Sequence, residues 1–185
     1  ILYSVSCNNE MLMRENNLAL KLRNDVLGSE PKLASAKRNS VKSVIKPYLA
    51  WKSAAVTSNY NSLVLNFKGC YAVEFRAFND GVAYRFITSR KDTIQVLNEE
   101  VAVSFLENYY LHLQRPNGFK TAYEELYSHT SVNDWKADGK MATLPVLIDT
   151  KKKYKILISE SDLTDYPCMF LKGTGSSTVT ATFPK

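Results

Sequence analysis

Two groups of closely spaced carboxylates are the residues of this sequence best suited to chemistry. One is the pair Glu124-Glu125, which lies among aromatic residues, and the other comprises Glu160, Asp162 and Asp165. Acidic pairs can act as acid and base in glycoside hydrolysis, and carboxylate oxygens are hard ligands for calcium. On composition alone, solvated loop charges are the commoner interpretation of both groups.

Aromatic side chains that stack on sugar rings are a second candidate feature. Trp51 and Trp135 are the best candidates for this role. A tryptophan can equally fill the core of a β-sandwich, and for Trp51 this alternative is at least as strong.

Nucleophilic and phosphate chemistry find little support. Neither histidine, His112 or His129, accompanies a Gly-x-Ser-x-Gly pattern or a cysteine partner. His112 alternates with Leu111 and Leu113, so we expect it to point to solvent from a strand. The seven glycines include no phosphate-loop pattern.

The cysteines, Cys7, Cys70 and Cys168, number three and include no Cys-x-x-Cys pair. Their spacing argues against zinc, and their odd number allows at most one disulfide. Each lies in or beside an apolar run, so we expect three buried, inert thiols.

Length and composition fit one sizeable hydrophobic core or two small ones. The chain has 185 residues, is 45% hydrophobic and contains no apolar run long enough to cross a bilayer. A formal charge of +6 permits anionic partners, but the basic residues are scattered. Their one tight cluster, Lys151-Lys152-Lys153, falls where a hairpin turn is expected. We therefore expect no nucleic-acid binding.

The sequence reads as a strand from its first residues. Residues 1–5 follow no charged leader and apolar segment, so no signal peptide is visible. We expect the sequence to begin part-way into a longer protein, which makes the missing signal uninformative about compartment.

Short alternating or apolar runs separated by turn signals predict strands along the whole chain. In the first half they cover residues 2–7, 11–14, 18–22, 41–45 and 63–67, with turns at 8–10 and 68–69 and a loop over most of 24–46. In the second half they cover residues 92–97 and 101–105, joined through 98–100, then 109–113, 141–148, 154–159 and 174–183.

Helix signals are weak. Residues 159–163 allow one turn, and residues 119–140 have no clear period, which is typical of a long surface excursion. About a dozen strands with regular turn signals predict an all-β antiparallel sandwich or barrel. We expect a single domain over residues 1–185, with no interdomain linker.

Residues 71–86, YAVEFRAFNDGVAYRF, form the most specific pattern. Asp80-Gly81 predicts a two-residue hairpin turn with positive φ at both residues. Pairing across this turn places six apolar residues on one face and three charged residues on the other, Glu74, Arg76 and Arg85. A three-residue loop would set Phe75 beside Arg85, so the pattern favours the two-residue turn.

This hairpin and several segments downstream closely resemble the N-terminal domain of glycoside hydrolase family 97. The landmarks, in order, are Trp51-Lys52, Asn59-Tyr60-Asn61-Ser62-Leu63, residues 73–86, Tyr123-Glu124-Glu125-Leu126-Tyr127, Leu144-Pro145 and residues 160–167 (ESDLTDYP). The resemblance covers most of residues 48–183, and the hairpin and the ESDLTDYP run are its most specific parts.

The resemblance implies an antiparallel two-sheet β super-sandwich that packs against a (β/α)8 barrel of the same polypeptide. The family contains inverting α-glucosidases and retaining α-galactosidases, often periplasmic and calcium-using, whose catalytic residues lie on the barrel. A barrel of this kind needs about 250 residues. The chain is therefore expected to contain only the sandwich, truncated at its N-terminus, and to be inactive alone.

The resemblance also implies that Glu124 donates one ligand to a calcium ion that the barrel otherwise coordinates, with Glu125 as the fallback. One carboxylate cannot assemble a calcium site. We therefore expect the isolated chain to bind calcium weakly or not at all, and the loop around Glu124 to be mobile or shaped by crystal neighbours. The implied substrate is an oligo- or polysaccharide, the implied location is periplasmic or secreted, and no membrane span is expected. The alternative function is a stand-alone carbohydrate-binding or protein-interaction sandwich module.

Overall fold

The computed structural model describes residues 1–49, 52–138 and 140–184. Within these residues the chain forms fifteen strands and no helix, which confirms the predicted all-β, antiparallel sandwich class. The strands are β1 (Leu2–Cys7), β2 (Glu10–Leu22), β3 (Val26–Leu27), β4 (Leu33–Ile45), β5 (Val56–Phe67), β6 (Tyr71–Ala77), β7 (Val82–Thr88), β8 (Val96–Ser104), β9 (Tyr110–Leu113), β10 (Ser128–Ser131), β11 (Met141–Ala142), β12 (Val146–Asp149), β13 (Lys155–Ile158), β14 (Phe170–Ser176) and β15 (Thr178–Thr182). In the part of the chain that is described, no helix has the length and apolar character needed to span a membrane.

The strands belong to three sheets and the chain divides into two compact units. The first unit comprises residues 1–21 and 96–185, and the second comprises residues 22–95. The largest sheet runs in the order β1-β2-β8-β15-β14-β11 and a four-stranded sheet runs β10-β9-β12-β13. The third sheet, β4-β5-β6-β7, is a meander of consecutive strands in the second unit.

The first unit has a sandwich core made of side chains from two sheets. Strands β9 and β12 bury alternate residues, as a half-buried strand must. The buried cluster contains Val101, Val103, Phe105, Tyr109, Leu111, Leu113, Val132, Trp135, Ala142, Val146, Ile148, Ile156, Leu171 and Val179. Removal of this apolar surface from water is the main stabilising contribution to the unit.

Strand β4 is much longer than predicted. The prediction of a loop with a short strand at residues 41–45 is wrong, because β4 pairs with β5 from Leu33↔Phe67 to Ile45↔Val56. Almost every residue of β4 is exposed. Without a buried face the strand needs no alternation of apolar and polar residues, so its sequence carries no strand signal.

The hairpin of β6 and β7 confirms the predicted division of its faces. Phe75 lies opposite Tyr84, with ring centroids 6.3 Å apart, and Glu74 lies opposite Arg85. Arg76 shares the face of Glu74, as predicted. Cross-strand pairs of this kind stabilise a sheet and fix its register.

The predicted Asp80-Gly81 turn is wrong by one residue. The Phe78 N–H donates to the Gly81 carbonyl at 2.8 Å, so Asn79 and Asp80 occupy the centre of the turn. None of Asn79, Asp80 and Gly81 has a positive φ. The cross-strand pairs on both faces set this register, and they override the local preference of an Asp-Gly dipeptide.

Several other boundaries differ from the prediction. β8 is one strand over residues predicted to be two strands and a turn, and residues 174–183 contribute to two strands, β14 and β15. Residues 119–140 include β10, and residues 159–163 form no helical turn. Residues 141–142 form β11, which pairs with β14, whereas β12 and β13 pair as predicted around the lysine cluster 151–153.

The turn at Asn8-Asn9 is the hairpin turn that has the geometry predicted for Asp80-Gly81. Its central residues have φ of 49° and 63°, and Cys7 pairs with Glu10 across it. Asparagine is among the residues that tolerate this region best. The predicted strand at residues 2–7 is therefore confirmed, and the turn predicted at residues 8–10 is confirmed at residues 8–9, since Glu10 already belongs to β2.

The three cysteines are free thiols, and the prediction that all three are buried is wrong. Cys70 and Cys168 are exposed and Cys7 is half-buried. Cys70 lies in the turn between β5 and β6 with a φ of 59°. Turn geometry, which the apolar neighbours do not reveal, directs this side chain to solvent.

Candidate functional site

The segment that carries Glu124 joins β9 to β10 without regular structure and is fastened to β14 by aromatic rings. Phe119 and Tyr123 pack edge-on against Phe170, with centroid separations of 5.0 and 5.5 Å. The Tyr123 hydroxyl also donates to the Phe119 carbonyl. Aromatic pairs in this geometry contribute beyond their buried area, so the three rings hold the segment in place.

A hydrogen bond from a side chain fixes the residue that follows Glu124. Gln114 Nε2 donates to the Glu125 carbonyl at 2.6 Å. The side chains of Glu124 and Glu125 are both exposed, and neither carboxylate has a hydrogen bond or ion pair with another described residue. The anchored segment therefore presents two carboxylates whose lone pairs are available to a ligand.

The second acidic group is partly used in structure. Both carboxylate oxygens of Glu160 accept the Met169 N–H, at 3.0 and 2.9 Å. Burial raises the pKa of Glu160, the Met169 N–H opposes this shift, and the charge of Glu99 adds to it. Asp162 and Asp165 are exposed. The Glu160 carboxylate thus stabilises the loop between residues 160 and 169.

Tyr166 holds the same loop against β8. Its hydroxyl donates to Glu99 Oε2 at 3.0 Å, and its ring contacts Phe183 edge-on at 6.1 Å. Burial, followed by the charge of Glu99 and its hydrogen bond, raises the pKa of Tyr166 far above its ordinary value. Tyr166 therefore stays protonated and acts as a hydrogen-bond donor.

Neither acidic group forms a complete metal site from the described residues. Among residues 1–49, 52–138 and 140–184, no group of three or more His, Cys, Asp or Glu side chains could hold a metal ion. Calcium requires about six to eight oxygen ligands. Any calcium ion at Glu124 must therefore take most of its ligands from elsewhere.

Of the two candidate tryptophans, Trp135 is a core residue. Trp51 lies outside the described residues. Trp135 is only 1% exposed and belongs to the core of the first unit. The interpretation of Trp135 as a sugar-stacking platform is wrong, because a ring must have an open face to stack on a ligand.

The two histidines form a pair that the sequence did not indicate. His112 on β9 lies directly opposite His129 on β10, and their Nδ1 atoms are 2.7 Å apart. The two residues are 17 positions apart, and β10 lies in a stretch with no strand signal. Only the register of two strands brings them together.

Glu74 is the most fully paired carboxylate of the hairpin. It accepts hydrogen bonds from Arg76 Nε at 2.9 Å and from Arg85 Nε at 2.7 Å. The Arg76 guanidinium also lies over the Tyr60 ring, 4.9 Å from its centroid. The Arg76 hydrogen bond is the largest cause of a lowered pKa at Glu74, burial opposes it, and Arg85 adds to it.

This arrangement predicts an acid-sensitive contribution to stability. A carboxylate whose pKa is lowered in the folded state contributes its full stabilisation above its unfolded pKa of about 4.3. This contribution is lost as the pH falls through the pKa of the folded state. Glu74→Gln should therefore reduce the free energy of unfolding at pH 7, and the gap to the native chain should narrow below about pH 4. Urea denaturation at both pH values measures the difference in free energy of unfolding between the native chain and Glu74→Gln. A difference that is the same at both pH values contradicts the expectation.

An antiparallel β-sandwich with an anchored, carboxylate-bearing surface loop is the class of module that these observations define. The chain belongs to the family described as Glycosyl-hydrolase 97 N-terminal, whose sequence profile matches residues 1–184. The resemblance found in the hairpin and in the ESDLTDYP run is thereby confirmed.

Individual relatives agree with this assignment. A retaining alpha-galactosidase of Bacteroides thetaiotaomicron is 28% identical over 196 residues, which cover 99% of this chain and 30% of that protein. A glycoside hydrolase family 97 enzyme from Pseudoalteromonas sp. strain K8, solved in complex with acarbose, superposes with a TM-score of 0.85 at 20% identity, over 98% of this chain and 28% of that one. A beta-arabinopyranosidase crystal structure gives the same TM-score at 23% identity, over 100% of this chain and 32% of that one.

These relatives are much longer than the chain. The chain spans 30% of the curated relative and 28% of the first of the two structures. The structural matches establish the fold, and the sequence profile establishes the family.

Proposed function

We propose that the chain is the N-terminal sandwich domain of an α-glycosidase, which packs on the catalytic barrel of the same polypeptide and contributes one wall of its active site. The family match over residues 1–184 supports the domain assignment. The similarity to a retaining alpha-galactosidase supports an α-linked sugar as the substrate class. A periplasmic or secreted location follows from the same proposal.

The main support for a ligand role of Glu124 is the anchored segment around it. Phe119 and Tyr123 fasten it to Phe170, and Gln114 holds the Glu125 carbonyl. A loop fixed at both sides of an exposed carboxylate loses little entropy when that carboxylate binds a ligand. Glu124 is thus suited to complete a site assembled on a neighbouring domain.

Calcium fits this site as a partial ligand set. Glu124 is exposed and has no hydrogen bond or ion pair with another described residue, and carboxylate oxygens are among the ligands that calcium takes. When bound, the ion supplies a fixed positive charge that orders the oxygen atoms around it. The role of Glu124 is to hold one coordination position, while Phe119, Tyr123 and Gln114 position the segment that carries it.

The proposal predicts that the isolated chain has no glycosidase activity. Hydrolysis of a glycosidic bond needs two carboxyl groups that flank the bond, about 5–9.5 Å apart, and the family's pair lies on the barrel. The purified chain should leave aryl α-glucosides and aryl α-galactosides intact, whereas the full-length protein should hydrolyse one of them. Turnover by the isolated chain would place catalytic groups in the sandwich and overturn the assignment.

In the full-length protein, Glu124→Gln should weaken calcium binding by about tenfold or more and lower activity in parallel. Loss of one charged ligand from a calcium site removes both a donor and a counter-charge. Titration calorimetry with CaCl2, combined with activity measured against calcium concentration, tests this.

Glu125→Gln is the matched control, because its carboxylate is also exposed and belongs to the adjacent residue. We expect it to change calcium affinity much less. Equal affinity of native protein and Glu124→Gln would remove Glu124 from the site, and a large effect at Glu125 alone would move the ligand by one residue.

A further inference from the structure

The only two histidines of the chain face each other on the outer surface of the β10-β9-β12-β13 sheet. His112 and His129 are direct cross-strand partners, with Nδ1 atoms 2.7 Å apart and ring centroids 4.6 Å apart. Neither is used in the core or in the segment around Glu124. Their convergence calls for a role other than packing.

The strands of the sheet fix the positions of both histidine side chains. His112 lies between Leu111 and Leu113, which are 1% and 0% exposed and belong to the core. Because side chains alternate across a strand, the burial of both neighbours fixes the His112 side chain on the outer face. The register of β9 with β10 then fixes His129 beside it.

The separation of the two nitrogens is that of a hydrogen bond between the imidazole rings. At 2.7 Å one Nδ1 donates its hydrogen to the lone pair of the other, so at least one imidazole is neutral. Two doubly protonated rings have no acceptor and cannot make this contact. When the donor ring moves its hydrogen to Nε2, this hydrogen bond is lost and the Nδ1 lone pairs of both rings become available to a ligand.

We propose that His112 and His129 form a two-imidazole chelate for a divalent transition metal of the Zn2+, Ni2+ or Cu2+ class. Imidazole nitrogen suits these ions, whereas calcium takes oxygen ligands. The ligand chemistry of this site differs from that of the calcium ligand proposed at Glu124, and the proposal does not depend on that one.

The geometry requires only a small adjustment. Two Zn–N bonds of 2.0–2.1 Å at a tetrahedral angle place the nitrogens about 3.3 Å apart. The pair must therefore open by about 0.6 Å from its 2.7 Å separation. Rotation about the broad χ2 torsions of the two rings can supply this displacement while both strands stay in place.

The remaining coordination positions are open to water. His112 lies opposite Leu147 on the strand at its other side, so that neighbour supplies no ligand. In the described part of the chain no third His, Cys, Asp or Glu joins the pair. The arrangement is thus an exposed chelate with vacant positions, which a water molecule or a side chain of another protein can fill.

The test uses ZnCl2 and the untagged chain of 185 residues, at pH 7.5, in a Cys70→Ser, Cys168→Ser background that removes the two exposed thiols. Calorimetry should show one zinc ion per chain and no comparable binding of CaCl2. Zinc should also raise the melting temperature, because both ligands are in register only in the folded state.

His112→Gln and His129→Gln should each weaken zinc binding by about tenfold or more and abolish the rise in melting temperature. A second ligand held on the neighbouring strand acts at high effective concentration, and either variant removes that advantage. Leu157→Gln, another exposed position of the same sheet, is the matched control and should bind zinc as the parent does.

Imidazole 15N NMR gives a readout that needs no histidine variant. Zinc should shift the Nδ1 resonances of both histidines together, at the stoichiometry found by calorimetry. Zinc affinity that is unchanged in the single-histidine variants, or Nδ1 resonances that do not respond to zinc, would overturn the proposal.

Discussion

Replacing Gly173 by alanine should destabilise the first unit by about 3 kcal/mol or more. Gly173 lies in β14 opposite Val179 of β15, and the Trp135 backbone occupies the space that a side chain at position 173 would need. A Cβ placed on Gly173 would lie 2.0 Å from the Trp135 carbonyl oxygen and 2.4 Å from Trp135 Cγ. Overpacking a core typically costs about 1–3 kcal/mol, and a clash with backbone relaxes less readily than one with a flexible side chain.

Gly81→Ala is the matched control for Gly173→Ala. A Cβ at Gly81 meets no atom within 4 Å, and its φ lies outside the positive region. We expect this variant to keep the native free energy of unfolding within about 0.5 kcal/mol. Urea denaturation of both variants tests the pair, and a Gly173→Ala chain as stable as Gly81→Ala would refute the close approach of Trp135.

The hairpin of β6 and β7 shows where sequence reasoning succeeds. The alternation of apolar and polar residues within 71–86 predicted which side chains share a face, because successive side chains of a strand point to opposite faces. The turn was misplaced because Asp-Gly is a local preference of modest size. The Phe75–Tyr84 contact and the Glu74–Arg85 ion pair together outweigh it.

β4 shows where pattern reading has nothing to detect. The strand is stabilised by backbone pairing with β5 over its whole length, and its side chains lie almost entirely in solvent. Hydrophobic periodicity reports burial and only indirectly reports a strand. An exposed strand of this kind is visible only once its partner is known.

The candidate site divides in the same way. Glu124 was indicated by family resemblance, since a tyrosine and two glutamates in a loop are otherwise unremarkable. Its anchoring to Phe170 was not predictable, because Phe119 and Tyr123 are far from Phe170 in sequence. The histidine pair depends likewise on a register between β9 and β10 that no local pattern encodes.

Trp135→Ala should cost about 3–5 kcal/mol, which is the usual range for removing a large aromatic from a core. Trp135 is 1% exposed, and its carbonyl accepts the Gly175 N–H at 3.0 Å. Its indole Nε1, in contrast, is buried and has no hydrogen-bond partner among residues 1–49, 52–138 and 140–184. Trp135→Phe removes that unpaired donor together with part of the ring, so the two effects offset each other and we expect a loss below about 1.5 kcal/mol.

The comparison of the two variants separates a core residue from a ligand platform. A core residue makes Trp135→Ala strongly destabilising and Trp135→Phe mild, as measured by urea denaturation. A platform would leave both variants stable and reduce sugar binding instead. The double variant Trp135→Ala, Gly173→Ala adds a further check, because the clash at 2.0 Å involves the backbone oxygen and survives removal of the indole. We expect the double variant to be less stable than Trp135→Ala alone. Equal stability of these two variants would show that the indole, and not the backbone of Trp135, requires glycine at position 173.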